Sequence, residues 1–365
     1  MNLGRLFSSG VLVFLEKTSR PKQMGDRTKG MKALLAMANI FTQLGALVLL
    51  ATAAPGLAQD GFFHVENRNG IWWFVDPRVA LTLSQGVDIV SYYSVSYQIK
   101  GTGACPYGET ISKLYPDHNA WALASLARIW QWGFNTIGGH SAPEVWTHGV
   151  PFTVSLDIGA DPLHDWQYGD YFAPTFEENA KDIAGKVCRP RSLDYILVGY
   201  FSDNELRWGS DWRGKETMLE LYLKLPPDAP GRARAGQYLR ERYGNDIGRL
   251  NQAWGMKAAS FDEPPAPGAT EAFLADAAQF LEIVATRYFR ICAEAIHAAD
   301  PNHLYLGARF AGVPPEPVLR AARGVDVLSI DPYEFDPRSS IDGVFKASGR
   351  PVLVSEFWFR AEDCG

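Results

Sequence analysis

Val198-Gly-Tyr-Phe-Ser-Asp-Asn-Glu-Leu-Arg-Trp208 is an apolar run that passes without a break into three polar side chains, Asp203, Asn204 and Glu205. A second stretch, Pro351-Val-Leu-Val-Ser-Glu-Phe-Trp-Phe359, does the same and delivers Glu356. Five further short runs rich in Val, Ile and Leu accompany them, at 86–90, 134–137, 152–156, 304–307 and 325–330. Apolar runs of this length suit strands buried on both faces. Most follow a helical pattern, at 120–132, 176–186, 272–299 and 318–323. That alternation predicts an α/β fold with a parallel sheet, either doubly wound or a (β/α)8 TIM barrel. A nucleotide-binding doubly wound sheet needs a glycine-rich turn after a strand, and neither GxGxxG nor GxxxxGK[ST] occurs in that context. Strand ends here carry Tyr92, His140, Asp157, Asn204, Glu205, Arg309, Asp331, Tyr333 and Glu356 instead. In a barrel all of these share the rim where active sites are built. An antiparallel hairpin precedes the first strand, with Phe63 and Val65 turning through Asn67-Arg68-Asn69-Gly70 to Ile71, Trp73 and Val75.

Two glutamates on nonadjacent strand ends suit acetal chemistry: one carboxyl protonates the departing oxygen and the other attacks the anomeric carbon. A single acid at such a place is as well explained as a helix cap or an ion-pair partner, so the argument rests on the pair. Trp208, Trp212 and Trp358 flank the glutamates, and each suits either stacking on a sugar ring or packing of the barrel top. His140 suits either substrate contact or a capping role. Asp203 reads as a cap or as a carboxylate that orients its neighbours. Asp161-Pro-Leu-His-Asp165 reads as a surface turn, because the seven histidines form no HxH or HExxH pattern. No metal and no cofactor is expected. Cys105, Cys188, Cys292 and Cys364 are too scattered for a zinc pair and read as core thiols or one or two bridges.

Residues 1–58 are different material. From Met31 a lysine is followed by an apolar run over 44–54, then Pro55 and Gly56-Leu57-Ala58. This is the layout of an export signal with an extended basic leader, cut after Ala58; the apolar run is too short for a spanning helix. Without these residues 28 Lys and Arg face 39 Asp and Glu, a net charge of −11. An acidic surface disfavours nucleic acid and anionic lipid and leaves neutral ligands as partners. The expected organisation is a leader at 1–58 and one catalytic domain at 59–365, with a helical insert around 210–270.

The residues carry a resemblance. Asn204-Glu205 and Glu356 resemble the paired signature of clan A glycoside hydrolases, retaining enzymes on (β/α)8 barrels. GYFSDNELRWG at 199–209 and RPVLVSEFWFRAEDCG at 350–365 resemble the two catalytic segments of the β-agarase-like enzymes of glycoside hydrolase family 50. WGFNTI at 132–137 and YGNDIGRLNQAW at 243–254 resemble that family more loosely. The resemblance implies a carbohydrate substrate, Glu205 as acid/base, Glu356 as nucleophile, Asn204 as partner of the sugar 2-hydroxyl and Tyr333 as partner of Glu356. His140, Arg309, Asp331, Trp208 and Trp358 complete the expected substrate site.

Relative to a full barrel, no eighth strand and helix follow Glu356. The expectation is therefore a barrel lacking that unit, with open edges on its first and seventh strands. The alternatives are a carbohydrate-binding or inactive barrel, or a retaining glycosidase acting as a β-galactosidase, β-glucanase or β-mannanase.

Overall fold

The computed structural model describes residues 11–13, 61–92, 106–261 and 270–358. The strands are β1 (Val11–Val13), β2 (His64–Arg68), β3 (Ile71–Val75), β4 (Leu81–Thr82), β5 (Gly86–Val87), β6 (Thr136–Ile137), β7 (Phe152–Ser155), β8 (Leu197–Phe201), β9 (Leu304–Tyr305), β10 (Leu328–Ile330) and β11 (Val352–Val354). The main helices are α1 (Pro106–Leu114), α2 (His118–Gln131), α3 (Pro174–Val187), α4 (Met218–Leu223), α5 (Pro230–Tyr243), α6 (Ile247–Trp254), α7 (Glu271–Ala299), α8 (Glu316–Ala321) and α9 (Arg338–Ser348).

All seven strands expected from the sequence are present, as β5 to β11. β5 through β9 form one parallel sheet in chain order, and β10 with β11 belong to a second. The parallel bridge Phe310–Ile330 and the bond from the Val327 amide to the Tyr305 carbonyl join the two. β1 runs parallel to β11, with Val11 opposite Val352. That edge was expected to be open, and β1, drawn from the segment read as a leader, occupies it. Among the described residues no strand ladder links β1 to β5.

The apolar runs lack alternation because both strand faces are covered. On one face Val198, Phe201, Leu304, Leu306, Val327 and Leu353 form a cluster with Phe63 and Phe74 of the β2–β3 hairpin. On the other, Leu197, Tyr200, Tyr305, Leu328, Val352 and Val354 pack into the larger core shared with the helices. The hairpin turns on Asn69 and Gly70, both left-handed, as a two-residue turn requires.

Between β8 and β9 the chain makes α4 to α7. Thr217 and Glu220 form a reciprocal capping box at the start of α4. Buried Asp276 on α7 accepts from Arg242 Nε at 3.0 Å, from Trp254 Nε1 at 2.9 Å and from the Tyr243 hydroxyl. This one carboxylate fastens α5 and α6 to α7, which accounts for the 243–254 segment as a packing device. Cys188 and Cys292 are buried free thiols; Cys105 and Cys364 lie outside the described residues. No helix among the described residues is long and apolar enough to cross a membrane.

Candidate active site

Each strand from β5 to β9 leaves the sheet through one non-glycine residue in the left-handed region: Ile89, His140, Asp157, Glu205 and Arg309, at φ of 56, 55, 54, 49 and 44°. Such conformations cost roughly 1–3 kcal/mol each. They persist because the rim loops are stitched together by backbone bonds. The Ile89 amide bonds the Gly139 carbonyl, Ile158 bonds Ser202, Ser202 bonds Gly307, Glu205 bonds Arg309, and Ser355 bonds Ile330. Glu205 is therefore not a helix cap; the next helix starts only at Met218.

Arg309 organises the rim. Its side chain is 0% exposed. Nε donates to Asn204 Oδ1 at 2.7 Å, Nη1 to the Ser355 carbonyl at 3.3 Å, and Nη2 both to Asp88 Oδ2 at 2.9 Å and to Glu356 Oε2 at 2.5 Å. Its carbonyl accepts the Glu205 amide at 2.9 Å. One residue thus touches both acid-bearing strand ends. The Tyr333 hydroxyl donates to the other oxygen, Glu356 Oε1, so donors on both sides fix the plane of that carboxylate.

Glu205 is half-buried, and burial pushes its carboxyl above the ordinary range; the Glu356 charge adds to this, against Arg213, Arg309 and His140. Asp331 is 1% exposed. Its Oδ1 accepts from Ser355 Oγ at 2.6 Å, and its Oδ2 has no partner among the described residues. Burial pushes this carboxyl up to about 8, with Arg309 and Ser355 opposing. Asp203 sits beneath the rim, accepting from the Gly159 and Ala160 amides and the Tyr288 hydroxyl. It anchors the loop after β7, and burial pushes it to about 8 as well.

The structure brings Asn204, Glu205, Arg309, Asp331, Tyr333 and Glu356 together. His140 is exposed at the same rim and lowers both Asp88 and Glu205 electrostatically. Trp358 is 48% exposed and meets Tyr333 edge-on at 6.5 Å. Trp208 differs from expectation. It is 6% exposed, stacked on Phe289 at 5.7 Å and edge-on to Tyr288 and Phe310, so its ring belongs to the core. Trp212, 68% exposed, stacks on the Arg213 guanidinium, whose Nη1 holds the Glu205 carbonyl at 2.7 Å.

No protein-family model matches the chain. β-Agarase A of Vibrio sp. (strain JT0107) is 30% identical over 301 residues, which cover 73% of this chain and 30% of that protein. The solved agarase AgWH50C superposes with a TM-score of 0.69 at 22% identity, covering 94% of this chain and 60% of that one. A solved exo-β-agarase gives the same TM-score at 21% identity, covering 98% of this chain and 62% of that one.

The chain is related to the β-agarases. It spans about 30% of the length of the curated relative it matches.

In this agarase-like chain, sequence reasoning missed Asp88, Arg213 and the close approach of Asp88 and Arg309 to two glycines. Asp88 stood in plain view, an acid inside the apolar run 86–90. A Cβ on Gly138 would lie 1.7 Å from Asp88 Oδ1, and one on Gly139 would lie 2.4 Å from Arg309 Nη1. The Gly-Gly pair before His140 is the signal that something approaches closely there.

Proposed function

We propose that this agarase-like chain carries the catalytic face of a secreted, retaining glycoside hydrolase that acts on β-linked, galactose-containing polysaccharide or oligosaccharide of the agar type. The observation that carries the reading is Arg309, whose main chain holds Glu205 and whose side chain holds Glu356. On this reading the parallel strands β5 to β11 belong to a (β/α)8 barrel whose rim is the substrate face, and residues 1–58 are the export leader, whose removal takes β1 from the edge of β11.

The chemistry follows from the environments. Burial and the Glu356 charge favour the protonated form of Glu205, which gives its proton to the departing oxygen. Glu356 attacks the anomeric carbon, and C1 exchanges its bond to that oxygen for one to the carboxylate. Ester formation removes the Glu356 charge, and with it one cause of the raised Glu205 value. Glu205 then serves as base for the incoming water. Arg309 occupies the Asn204 amide oxygen, which leaves the Nδ2 donor for a sugar hydroxyl. Hydrogen bonds to the 2-hydroxyl that strengthen in the transition state supply several kcal/mol in this chemistry. Exposed Tyr333, Trp358 and Trp212 are the ring faces available to a neutral sugar chain.

The test is replacement of Glu356 by Ala. Turnover of an activated β-galactoside is lost, and added azide restores it with a glycosyl azide of inverted configuration. Glu205→Ala with azide gives the retained product. The same product configuration from both variants refutes the roles.

A further inference from the structure

We infer that Asp88 is a positioning residue that keeps the buried Arg309 guanidinium paired while Glu356 is tied up as a glycosyl ester. The inference rests on the retaining reading above and adds a role that the two-carboxylate scheme does not contain.

The Arg309 side chain has four hydrogen-bond partners among the described residues, and two of these, Asn204 and the Ser355 carbonyl, are neutral. Among the described residues only two carboxyl groups bond to it, those of Asp88 and Glu356, and both do so through Nη2. In the free enzyme the trio has two carboxylates against one guanidinium, an excess negative charge that complements the cation developing on the anomeric carbon. Once C1 bonds to Glu356, that carboxylate is neutral. A guanidinium with no solvent access and no anion would then be left uncompensated, a costly state. Asp88 prevents this.

The neighbouring charged groups do not take the same role. Asp331 faces Arg309 without a bond to it: its Oδ1 is taken by Ser355 Oγ at 2.6 Å, and burial pushes its carboxyl up to about 8. Glu205 delivers its proton from the opposite side of the scissile bond, and His140 and Tyr333 bring no negative charge at neutral pH. Burial pushes the Asp88 carboxyl above the ordinary range and the Glu356 charge adds to this, against Arg309 and His140, so loss of the Glu356 charge in the ester favours the Asp88 carboxylate. Local construction points the same way. Asp88 leaves β5 one residue before left-handed Ile89, and the bare backbones of Gly138 and Gly139 admit Asp88 and Arg309 to distances that any side chain there forbids. Among the described residues its Oδ1 has no partner and Arg309 alone pairs with the carboxylate.

The first experiment reads stability and needs no turnover. Glu356→Gln is neutral, as the ester is. Thermal melts compare wild type, D88N, E356Q and the double variant. Either single change leaves Arg309 one anion; the double change leaves none. The expected result is a double-variant loss at least about 5 °C beyond the sum of the single losses. Additive losses overturn the inference. So does a failure of either single variant to fold, because the remaining carboxylate would then be unable to hold Arg309.

The second experiment uses 2-deoxy-2-fluoro-β-galactosyl fluoride. The C1–F bond breaks, fluoride leaves with the electron pair, and a Glu356 oxygen bonds to C1. Labelling of Glu356 in wild type checks the retaining reading by itself; without it that reading fails, and the melting cycle alone decides on Asp88 as the shared counter-ion. With it, D88N labels at least about tenfold more slowly, while release of the trapped sugar is not slowed. Equal slowing of labelling and release marks a merely structural Asp88 and overturns the inference.

Discussion

Replacing Gly139 by Ala is a one-carbon test of how tightly the rim is built. The new Cβ would stand 2.4 Å from Arg309 Nη1 and 3.0 Å from Cζ. The first distance is about 1 Å short of van der Waals contact. The far end of an exposed arginine would swing aside at little cost. This one is buried and bonded to Asn204, Ser355, Asp88 and Glu356, so the strain passes to the Glu356 carboxylate. Overpacking of this kind costs about 1–3 kcal/mol in stability. A displacement near 1 Å at a reacting group costs about a hundredfold in rate. The assay is a thermal melt with kcat/KM on an activated galactoside. Gly343→Ala on α9 is the control, because nothing lies within 4 Å of its Cβ. It is expected to stabilise the helix by about 0.5–1 kcal/mol. Unchanged melting and turnover in Gly139→Ala would refute the view that Arg309 is rigidly held.

Trp208→Ala lowers stability by about 3–5 kcal/mol, whereas Trp358→Ala shifts it by less than about 0.5 kcal/mol and raises KM; denaturation curves and steady-state kinetics separate the two roles. Asp276→Ala strips the partners from Trp254 and Tyr243 and costs about 3 kcal/mol by urea titration. Turnover of substrates with poor leaving groups falls as pH rises through the raised value of Glu205, and a fluoride leaving group removes that dependence, as pH–rate profiles check. Asp331 and Asp203, both near 8 in the folded protein, bind protons more tightly there than when unfolded. Stability therefore falls as pH rises from about 4 towards 8, and Asp331→Asn reduces that slope in melts across the range.

The parallel strands were legible because two-sided burial writes itself as unbroken Val, Ile and Leu, and their helices because apolar residues recur at helical spacing. The carboxylate pair was legible for a related reason. A strand end has a fixed address on the rim, so an acid directly after an apolar run is placed by the chain itself. Trp208 shows where this stops. An aromatic residue three positions beyond Glu205 looks like Trp212 or Trp358 in one dimension, and only the helix that packs over it, α7 with Tyr288 and Phe289, decides that it is core.

The amino-acid sequence by itself determined the strand and helix order, the glutamates at two strand ends and the acidic character of the part after residue 58, since each depends on local pattern or on composition. Tertiary structure alone decided that Asp88, 221 positions from Arg309, shares its guanidinium with Glu356. It also decided that Asp203 serves the loop after β7 and that β1 lies beside β11. Charge pairing and strand adjacency act through space over a few ångströms, and the chain distance between partners leaves no periodic trace for a sequence to show.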